Sequence, residues 1–246
     1  MVTFRRPFRT NHDPEQDAAA VLEPAAKAEI RARVMEGVAG VELEPKPFYT
    51  AAKRVLDIII AMAGLIATLP LTLAIALLIK LDSPGPVFFR QERLGKGLKR
   101  FSMLKFRSMY TDKTEVPPEL LLKNESSGPL FKMRRDPRVT RVGRWLRRTS
   151  LDELPQLINI LRGEMSVVGP RPPLPRELEG FDTVQRLRLR VTPGLTGLWQ
   201  VSGRSNLKFD EMVQLDMSYI ENRSLWLDLK IMLKTVPSVI FAKGAF

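Results

Sequence analysis

The longest apolar stretch of the chain runs from Val55 to Ile79, and Asp57 is the only charged residue within it. As a straight α-helix this stretch would be about 37 Å long at about 1.5 Å per residue. That length would cross a hydrocarbon core of about 30 Å. An ordinary membrane-spanning helix is therefore one interpretation of the pattern.

Pro70 lies inside this stretch and favours a second interpretation. Proline removes a backbone hydrogen bond and clashes with the preceding turn, so the helix should break into two halves that are each too short to span comfortably. Thr68 and Thr72 are placed to satisfy carbonyl groups freed by the break. Both flanks are basic, with Lys53 before and Lys80 after, so the positive-inside rule assigns both ends to the cytoplasm. The second interpretation is a re-entrant helical hairpin.

The rest of the chain divides around this segment. Residues 1–50 are polar and nearly neutral, and we predict a soluble N-terminal extension that is partly disordered and helical from Ala18 to Ala39. Residues 51–81 form the membrane segment, and residues 82–246 form a cytoplasmic domain.

Within residues 82–246, two short apolar runs predict a β-hairpin. Val87–Phe89 and Phe101–Phe106 flank the turn signal Gly95-Lys96-Gly97. Most of the remaining pattern is helical, so the predicted fold class is α+β and mostly helical. The stretch Leu225–Phe241 has apolar residues at helical spacing, which is typical of a core helix or of a helix lying on a bilayer surface.

Composition removes several kinds of chemistry. The chain has no cysteine, so disulfides, thiolate metal sites and cysteine nucleophiles are excluded. Its single histidine, His12, lies in the polar extension, so a Ser-His-Asp triad cannot form in the rest of the chain. Acid–base catalysis would have to use Asp, Glu, Lys or Tyr.

The net charge of +12 is concentrated after the apolar segment, because residues 81–246 contain 29 basic and 18 acidic side chains. This imbalance indicates an anionic partner such as a phosphorylated substrate, anionic lipid or nucleic acid. The basic residues are densest between Lys132 and Arg148, and most of them are arginines, whose planar fork suits phosphate oxygens. From Arg141 onward the spacing is helical and places Arg141, Arg144 and Arg148 on one face.

The segment after this basic run supports two interpretations. Ser150 and Glu153 have the spacing of a helix-capping box, which is a purely structural device. Alternatively, Asp152 and Glu153 are an adjacent carboxylate pair that divides the roles of nucleophile or metal ligand and base, beside arginines that gather a pyrophosphate. Two stiff turns follow: one holds Arg171 between prolines, and the other is a glycine-rich loop over residues 192–206.

Several of these motifs occur together and in order. They are Lys53-Arg54-Val55-Leu56-Asp57, Lys105-Phe106-Arg107-Ser108-Met109, Ser150-Leu151-Asp152-Glu153-Leu154-Pro155-Gln156-Leu157, Gly163-Glu164-Met165-Ser166, Gly169-Pro170-Arg171-Pro172, Pro193-Gly194-Leu195-Thr196-Gly197 and Asp228-Leu229-Lys230. From Lys53 to the C-terminus the chain resembles the bacterial monotopic phosphoglycosyl transferases, also called the bacterial sugar transferase family.

The resemblance implies an enzyme that transfers a sugar-1-phosphate from a UDP-sugar to undecaprenyl phosphate and releases UMP. It implies a re-entrant membrane helix, interfacial helices and a small catalytic domain on the cytoplasmic face of the bacterial inner membrane. It also implies Mg²⁺ as cofactor, membrane lipids as partners and a covalent phosphosugar intermediate. The implied site residues are the nucleophile and metal ligand Asp152, its partner Glu153, the phosphate-binding residues Arg147, Arg171 and Arg204, and Pro70 at the helix break.

The likeness extends to the short members that begin exopolysaccharide assembly, which implies a hexose donor such as glucose or galactose. An N-acetylated donor is the alternative, and an oligomer is possible. Leu69 departs from the family, which often has serine before the helix-breaking proline. The other functional class is a non-enzymatic, membrane-tethered protein that binds a polyanion. Aromatic residues for stacking on bases are sparse, so we expect no nucleic-acid partner.

Overall fold

The computed structural model describes residues 45–111, 117–122, 124–125, 133, 135–203 and 207–240. The predictions for residues 1–44 of the N-terminal extension and for Arg204 lie outside the described residues, and residues 47–50 of that extension belong to the first helix that the structure describes.

The described chain is mostly helical, with short strands, which confirms the predicted α+β class. Its helices are α1 (Pro47–Asp82), α2 (Pro118–Leu121), α3 (Arg141–Thr149), α4 (Gln156–Leu161), α5 (Thr183–Arg186), α6 (Leu198–Ser202), α7 (Phe209–Asn222) and α8 (Leu225–Ile240). Its strands are β1 (Phe88–Leu94), β2 (Arg100–Phe106), β3 (Ser166–Val168) and β4 (Gly194–Thr196). Short 3₁₀ helices occupy Lys96–Leu98, Leu151–Glu153, Pro175–Gly180 and Leu187–Arg190.

Strands β1 and β2 form the predicted antiparallel hairpin, with Phe88 opposite Phe106. Gly97 in the connecting turn has φ +66°, a conformation that favours glycine. Strands β3 and β4 pair in parallel, which the sequence analysis did not predict. There Gly169 and Gly194 approach so closely that a Cβ on either would collide with the backbone of the other. This approach fixes the start of the loop that carries Arg171.

Helix α1 contains the whole apolar stretch. Among the described residues it is the one helix long and apolar enough to cross a membrane, with a mean hydropathy of 2.4 over its most apolar window. The structure does not divide it at Pro70, so the predicted separation into two helices is not observed. Proline cannot donate to the carbonyl of Ile66. The Thr68 hydroxyl donates to the carbonyl of Gly64 at 2.7 Å, not to that of Ile66, so Thr68 does not replace the hydrogen bond that Pro70 removes.

Both halves of α1 pack on the domain that follows it. In the first half, Ala61 is fully buried in a cluster with Leu157 and Ile160 of α4. In the second half, Ile75 and Ile79 are buried against Phe106 and Leu146, from β2 and α3. The opposite side of α1 exposes large apolar side chains, including Ile66 at 70% and Leu81 at 75%.

Polar side chains attach the first half of α1 to three other elements. Asp57 is buried and accepts hydrogen bonds from the Val167 amide and the Ser166 hydroxyl of β3, at 2.8 and 3.0 Å. Lys53 forms a 2.8 Å ion pair with Asp228 of α8. Arg54 donates to the last two carbonyl groups of α4. These contacts explain the charged residues at the start of an otherwise apolar helix.

Helix α8 has a packed side and an exposed side. Ile231 and Asp228 are buried, whereas Trp226 and Leu233 are 64% and 63% exposed. The packed side agrees with the interpretation of α8 as a core helix, and the exposed apolar side agrees with its interpretation as a helix lying on a bilayer surface.

Asn159 of α4 attaches this helix to β2. It is fully buried; its Oδ1 accepts from the Leu104 amide at 2.9 Å, and its Nδ2 donates to the Ser102 carbonyl at 2.8 Å and to Glu164 at 2.6 Å. The side chain thus satisfies two backbone groups of β2 that face α4.

We predict that Asn159→Leu lowers the free energy of unfolding by about 2–4 kcal/mol, because two buried backbone groups and Glu164 lose their partner. Asn222→Leu is the matched control, since Asn222 is exposed and its one hydrogen bond within the described residues is to the Ser218 carbonyl of its own helix. Its effect should stay within about 0.5 kcal/mol. Urea unfolding followed by circular dichroism in detergent measures both. Equal shifts in the two variants would contradict this role of Asn159.

Candidate active site

A left-handed residue brings Asp152 and Glu153 into the domain. Ser150 has φ 57° and ψ 16°, which ends α3 and starts the 3₁₀ turn Leu151–Glu153. Its side chain makes no capping hydrogen bond, so the capping-box interpretation of Ser150 and Glu153 is wrong. Pro155 lies at the N-terminus of α4, a position that tolerates proline. The two carboxylates therefore occupy a tight turn between two helices.

Asp152 is buried, with 7% of its surface exposed. Its Oδ2 lies 4.0 Å from the ammonium nitrogen of Lys105. Burial raises the pKa of Asp152 to about 6; Lys105 and Arg147 oppose this increase, and the negative charge of Glu153 adds to it. An aspartate with this pKa is still largely ionised at neutral pH and is more basic than an ordinary aspartate.

Glu153 has the opposite shift. Its Oε1 lies 2.6 Å from the Lys105 ammonium, and its side chain is 35% exposed. Partial burial would raise its pKa, but Lys105, Arg171 and Arg93 outweigh this effect and hold the pKa of Glu153 below its ordinary value. The two neighbouring carboxylates therefore differ in basicity, as expected of a pair with divided roles.

Lys105 is a functional candidate that the sequence analysis quoted within a motif but assigned no role. It projects from β2 and reaches both carboxylates across 48 positions of sequence. In the sequence, the signal for Lys105 was a charged side chain within the otherwise apolar run Met103-Leu104-Lys105-Phe106. In the structure, the other three residues of this run are buried.

Arg147 of α3 lies near Asp152, whose negative charge acts on it. Its Nε donates to the Ser108 hydroxyl at 2.9 Å. Burial lowers the pKa of Arg147, while the charges of Asp152 and Asp136 raise it. Arg141, Arg144 and Arg148 are exposed, so α3 directs only Arg147 of its four arginines toward the carboxylates.

Arg171 follows β3 and lies near Glu153, whose pKa it lowers. Its carbonyl accepts from Arg188, and Arg188 pairs with the buried Asp216 at 2.7 Å. Because Arg188 is held by Asp216 and donates to the Arg171 carbonyl, this ion pair helps to fix the loop that carries Arg171.

Arg93 of β1 is a second candidate that the sequence analysis missed. It is 4% exposed and donates to the Pro172 carbonyl at 3.0 Å, directly after Arg171. Burial and the neighbouring Arg171 lower the pKa of Arg93 to about 9. Its Nε has no hydrogen-bond partner. With Lys105, Arg147 and Arg171 it makes four cations around two carboxylates, an excess that suits a phosphorylated ligand.

The site can hold a magnesium ion only with help from its ligand. Within the described residues no group of three or more His, Cys, Asp or Glu side chains comes together. Mg²⁺ is often bound by one or two carboxylates, with water and substrate phosphates completing its octahedral shell. The Asp152 carboxylate, beside a site suited to phosphates, fits this mode of binding.

Comparison with known proteins identifies the family. Residues 48–242 match the family model described as Bacterial sugar transferase. The chain is 44% identical over 205 residues to the exopolysaccharide production protein ExoY of Rhizobium meliloti, an alignment that covers 82% of this chain and 91% of ExoY.

Two longer relatives have more specific names. The undecaprenyl-phosphate galactose phosphotransferase of Salmonella typhimurium is 42% identical over 198 residues, covering 79% of this chain and 41% of that protein. The undecaprenyl-phosphate glucose phosphotransferase of Komagataeibacter xylinus is 44% identical over 205 residues, covering 79% of this chain and 37% of that protein.

The chain thus spans less than half the length of these longer relatives and about nine-tenths of ExoY. The family match covers the apolar helix, both carboxylates and every cation described above. The chain belongs to the bacterial sugar transferase family.

Proposed function

We propose that this protein transfers a sugar-1-phosphate from a UDP-sugar to undecaprenyl phosphate and releases UMP, as an early step of exopolysaccharide, capsule or O-antigen assembly. The observation that carries the proposal is the pair Asp152 and Glu153, with opposite pKa shifts, held between Lys105, Arg147 and Arg171. The names of the relatives support the substrates, and the words glucose and galactose in two of these names support a hexose donor.

In the first step, a carboxylate oxygen of Asp152 attacks the β-phosphorus of the UDP-sugar. A bond forms between this oxygen and phosphorus, and the bond from the β-phosphorus to the bridging oxygen breaks. The electron pair leaves with UMP. In the second step, an oxygen of undecaprenyl phosphate attacks the same phosphorus, which releases the Asp152 carboxylate and yields a lipid-linked diphosphate sugar.

The cations reduce the repulsion between the anionic nucleophile and the anionic substrates. Glu153 binds Lys105 at 2.6 Å and so keeps the ammonium within 4.0 Å of Asp152. Arg147 and Arg171 approach the carboxylates from α3 and from the loop after β3. Asp152 would also hold Mg²⁺, which supplies further charge neutralisation on the pyrophosphate when bound.

We predict that the purified protein releases UMP from a UDP-hexose when undecaprenyl phosphate and Mg²⁺ are present. Asp152→Asn should reduce the rate at least 100-fold, because an amide cannot act as the nucleophile. Asp210→Asn removes an exposed carboxylate from the first turn of α7 and should stay within twofold of wild type. A panel of UDP-sugars with and without N-acetyl groups identifies the donor. No release with any donor would favour the non-enzymatic class, and full activity of Asp152→Asn would exclude Asp152 as nucleophile.

We also predict a covalent intermediate. With UDP-sugar and Mg²⁺ but no lipid, the wild-type protein should release one equivalent of UMP and gain a sugar-phosphate mass on Asp152. Peptide mass spectrometry locates this mass, and Asp152→Asn should lack it.

The burst of UMP should slow as the pH falls through about 6, because protonation removes the nucleophilic form of Asp152. Because undecaprenyl phosphate is omitted, protonation of its phosphate group does not contribute to the pH dependence of the UMP burst. A protein that gains no mass, together with kinetics that require both substrates at once, would replace this mechanism by direct transfer.

We propose that α1 is re-entrant as one continuous helix that bends at Pro70 without being divided there, and that the domain lies on the cytoplasmic face of the inner membrane. Support comes from the packing of both halves of α1 on one domain, through Ala61 in the first half and Ile75 and Ile79 in the second. A helix that spans a bilayer cannot keep both of its ends on a domain at one membrane face. Basic residues at both ends of α1 agree with this topology.

Single-cysteine labelling tests the topology without background, because the chain has no cysteine of its own. In inverted membrane vesicles, cysteines replacing Thr50 and Lys99 should both react with an impermeant maleimide, and a cysteine replacing Leu69 should react at neither face. Intact spheroplasts should leave all three unlabelled. Labelling of Thr50→Cys and Lys99→Cys from opposite faces would contradict a re-entrant helix.

A further inference from the structure

Arg107 follows β2 directly, and its side chain is buried against the end of α1, with 3% of its surface exposed. Its Nη2 donates to the carbonyl groups of Ser83 at 2.6 Å and Ile79 at 3.3 Å, and its Nη1 donates to that of Pro84. The last carbonyl groups of a helix lack partners within the helix and form the negative end of its dipole. The guanidinium of Arg107 therefore meets the end of α1 with hydrogen bonds and with the opposite charge.

The turn after α1 leaves space for this guanidinium. Gly85 has φ +122°, a conformation that favours glycine, and a Cβ on this residue would collide with Nη1 of Arg107. The Lys80 ammonium donates to the Gly85 carbonyl at 2.9 Å and so draws the turn back onto α1. A larger residue at position 85 would therefore displace the Arg107 side chain.

The residues on either side of Arg107 hold the candidate active site. Lys105 lies two positions before it and contacts both carboxylates. Ser108 lies directly after it and accepts from the Nε of Arg147 at 2.9 Å. A shift of the backbone at Arg107 would therefore move two cations of the site together.

The start of α3 contacts the same junction. Asp82, the last residue of α1, accepts from the Val142 amide at 3.1 Å. The Ser108 carbonyl accepts from the Thr140 amide at 3.1 Å, and a Cβ on Gly143 would collide with the Ser108 backbone. The end of α1, the residue after Arg107 and the start of α3 are thus in direct contact.

We propose that Arg107 is a positioning residue for the transfer reaction. It holds the end of α1 against residues 105–108 and thereby keeps Lys105 and Arg147 in place beside the carboxylates. Its side-chain hydrogen bonds go to α1 and the turn after it, so Arg107 acts through its neighbours and not on the substrate. This role rests on the proposed function.

The burst of UMP in the absence of lipid tests this role, measured with the UDP-hexose that the wild type uses. Arg107→Gln should lower the burst rate at saturating donor at least tenfold. The donor concentration that gives half of this rate should change less than threefold, because Arg171 lies on a separate loop. Arg107→Lys keeps the charge and three N–H donors, so it should recover at least a threefold part of the loss. Arg90→Gln is the matched control, because Arg90 is an exposed arginine of β1, and it should stay within twofold of wild type.

Gly85→Ala tests the same role without changing any charge. Its methyl group takes the space of the Arg107 guanidinium, and the burst rate should fall at least fivefold with the same small change in half-saturating donor. Gly97→Ala is the matched control for backbone strain. Gly97 has φ +66°, but a Cβ there meets no atom within 4 Å. This control should stay within twofold of wild type.

Distances between spin labels report on the junction without any substrate. Cysteines replacing Leu81, at the exposed end of α1, and Lys99, at the hairpin turn, carry the labels, and the chain has no other cysteine. Double electron–electron resonance of the full chain in nanodiscs should give one narrow distance distribution. Adding Arg107→Gln or Gly85→Ala should broaden it, and adding Arg90→Gln should not. Circular dichroism of each variant reports on folding.

The outcomes separate this role from the proposed function. No burst from the wild type would overturn both, whereas a wild-type burst that Arg107→Gln and Gly85→Ala leave unchanged would overturn this role alone. A raised half-saturating donor concentration at an unchanged burst rate would make Arg107 a determinant of donor binding instead. A slower burst with unchanged label distances would contradict an action through α1, and an equal loss in Arg90→Gln would indicate a general effect of charge.

Discussion

The candidate site depends on the contacts of the Lys105 ammonium group with the carboxylates of Asp152 and Glu153. The ammonium lies 2.6 Å from Glu153 and 4.0 Å from Asp152, and it keeps two adjacent negative charges together in a mostly buried turn. Without a cation there, burial and mutual repulsion would push one carboxyl group toward its neutral form. The position of Lys105 depends in turn on β2, which Asn159 attaches to α4, the helix that begins just after the carboxylates. The strand, helix and charge pair are therefore one structural unit.

The membrane helix is connected to the same unit. Helix α4 packs on the first half of α1, while β2 and α3 pack on its second half. Burying Asp57 in an apolar helix would be costly without partners, and the amide and hydroxyl of β3 supply them. Strand β3 leads into the loop that carries Arg171, so the position of α1 on the domain and the position of Arg171 are set by adjoining contacts.

Sequence patterns predicted the features that depend on local order. The β-hairpin, helix α3 and the adjacent carboxylate pair belong to this group, whereas only the family resemblance implied that Arg147 and Arg171 belong with that pair. Lys105 and Arg93 were missed because they reach Glu153 or Arg171 from the hairpin, across long separations that no periodicity encodes. The capping box failed because spacing does not reveal that Ser150 is left-handed. The parallel pair β3–β4 joins three-residue strands far apart in the chain, which no local pattern indicates. Pro70 removes one hydrogen bond of α1 without dividing the helix, and both of its halves pack on the same domain.

Helix geometry separates the basic residues of α3 into one that faces inward and others that face outward. Successive residues of a helix turn by about 100°. Arg147 therefore lies inward beside Ser108 and Asp152, while Arg144 and Arg148 of the same run face outward. An inward arginine loses much of its hydration and interacts strongly with a phosphate, whereas an outward one acts mainly through long-range attraction that salt weakens. The net charge of the chain counts inward-facing and outward-facing arginines alike. The burial of each side chain is therefore needed to tell an arginine suited to bind a substrate from one suited to attract an anionic membrane.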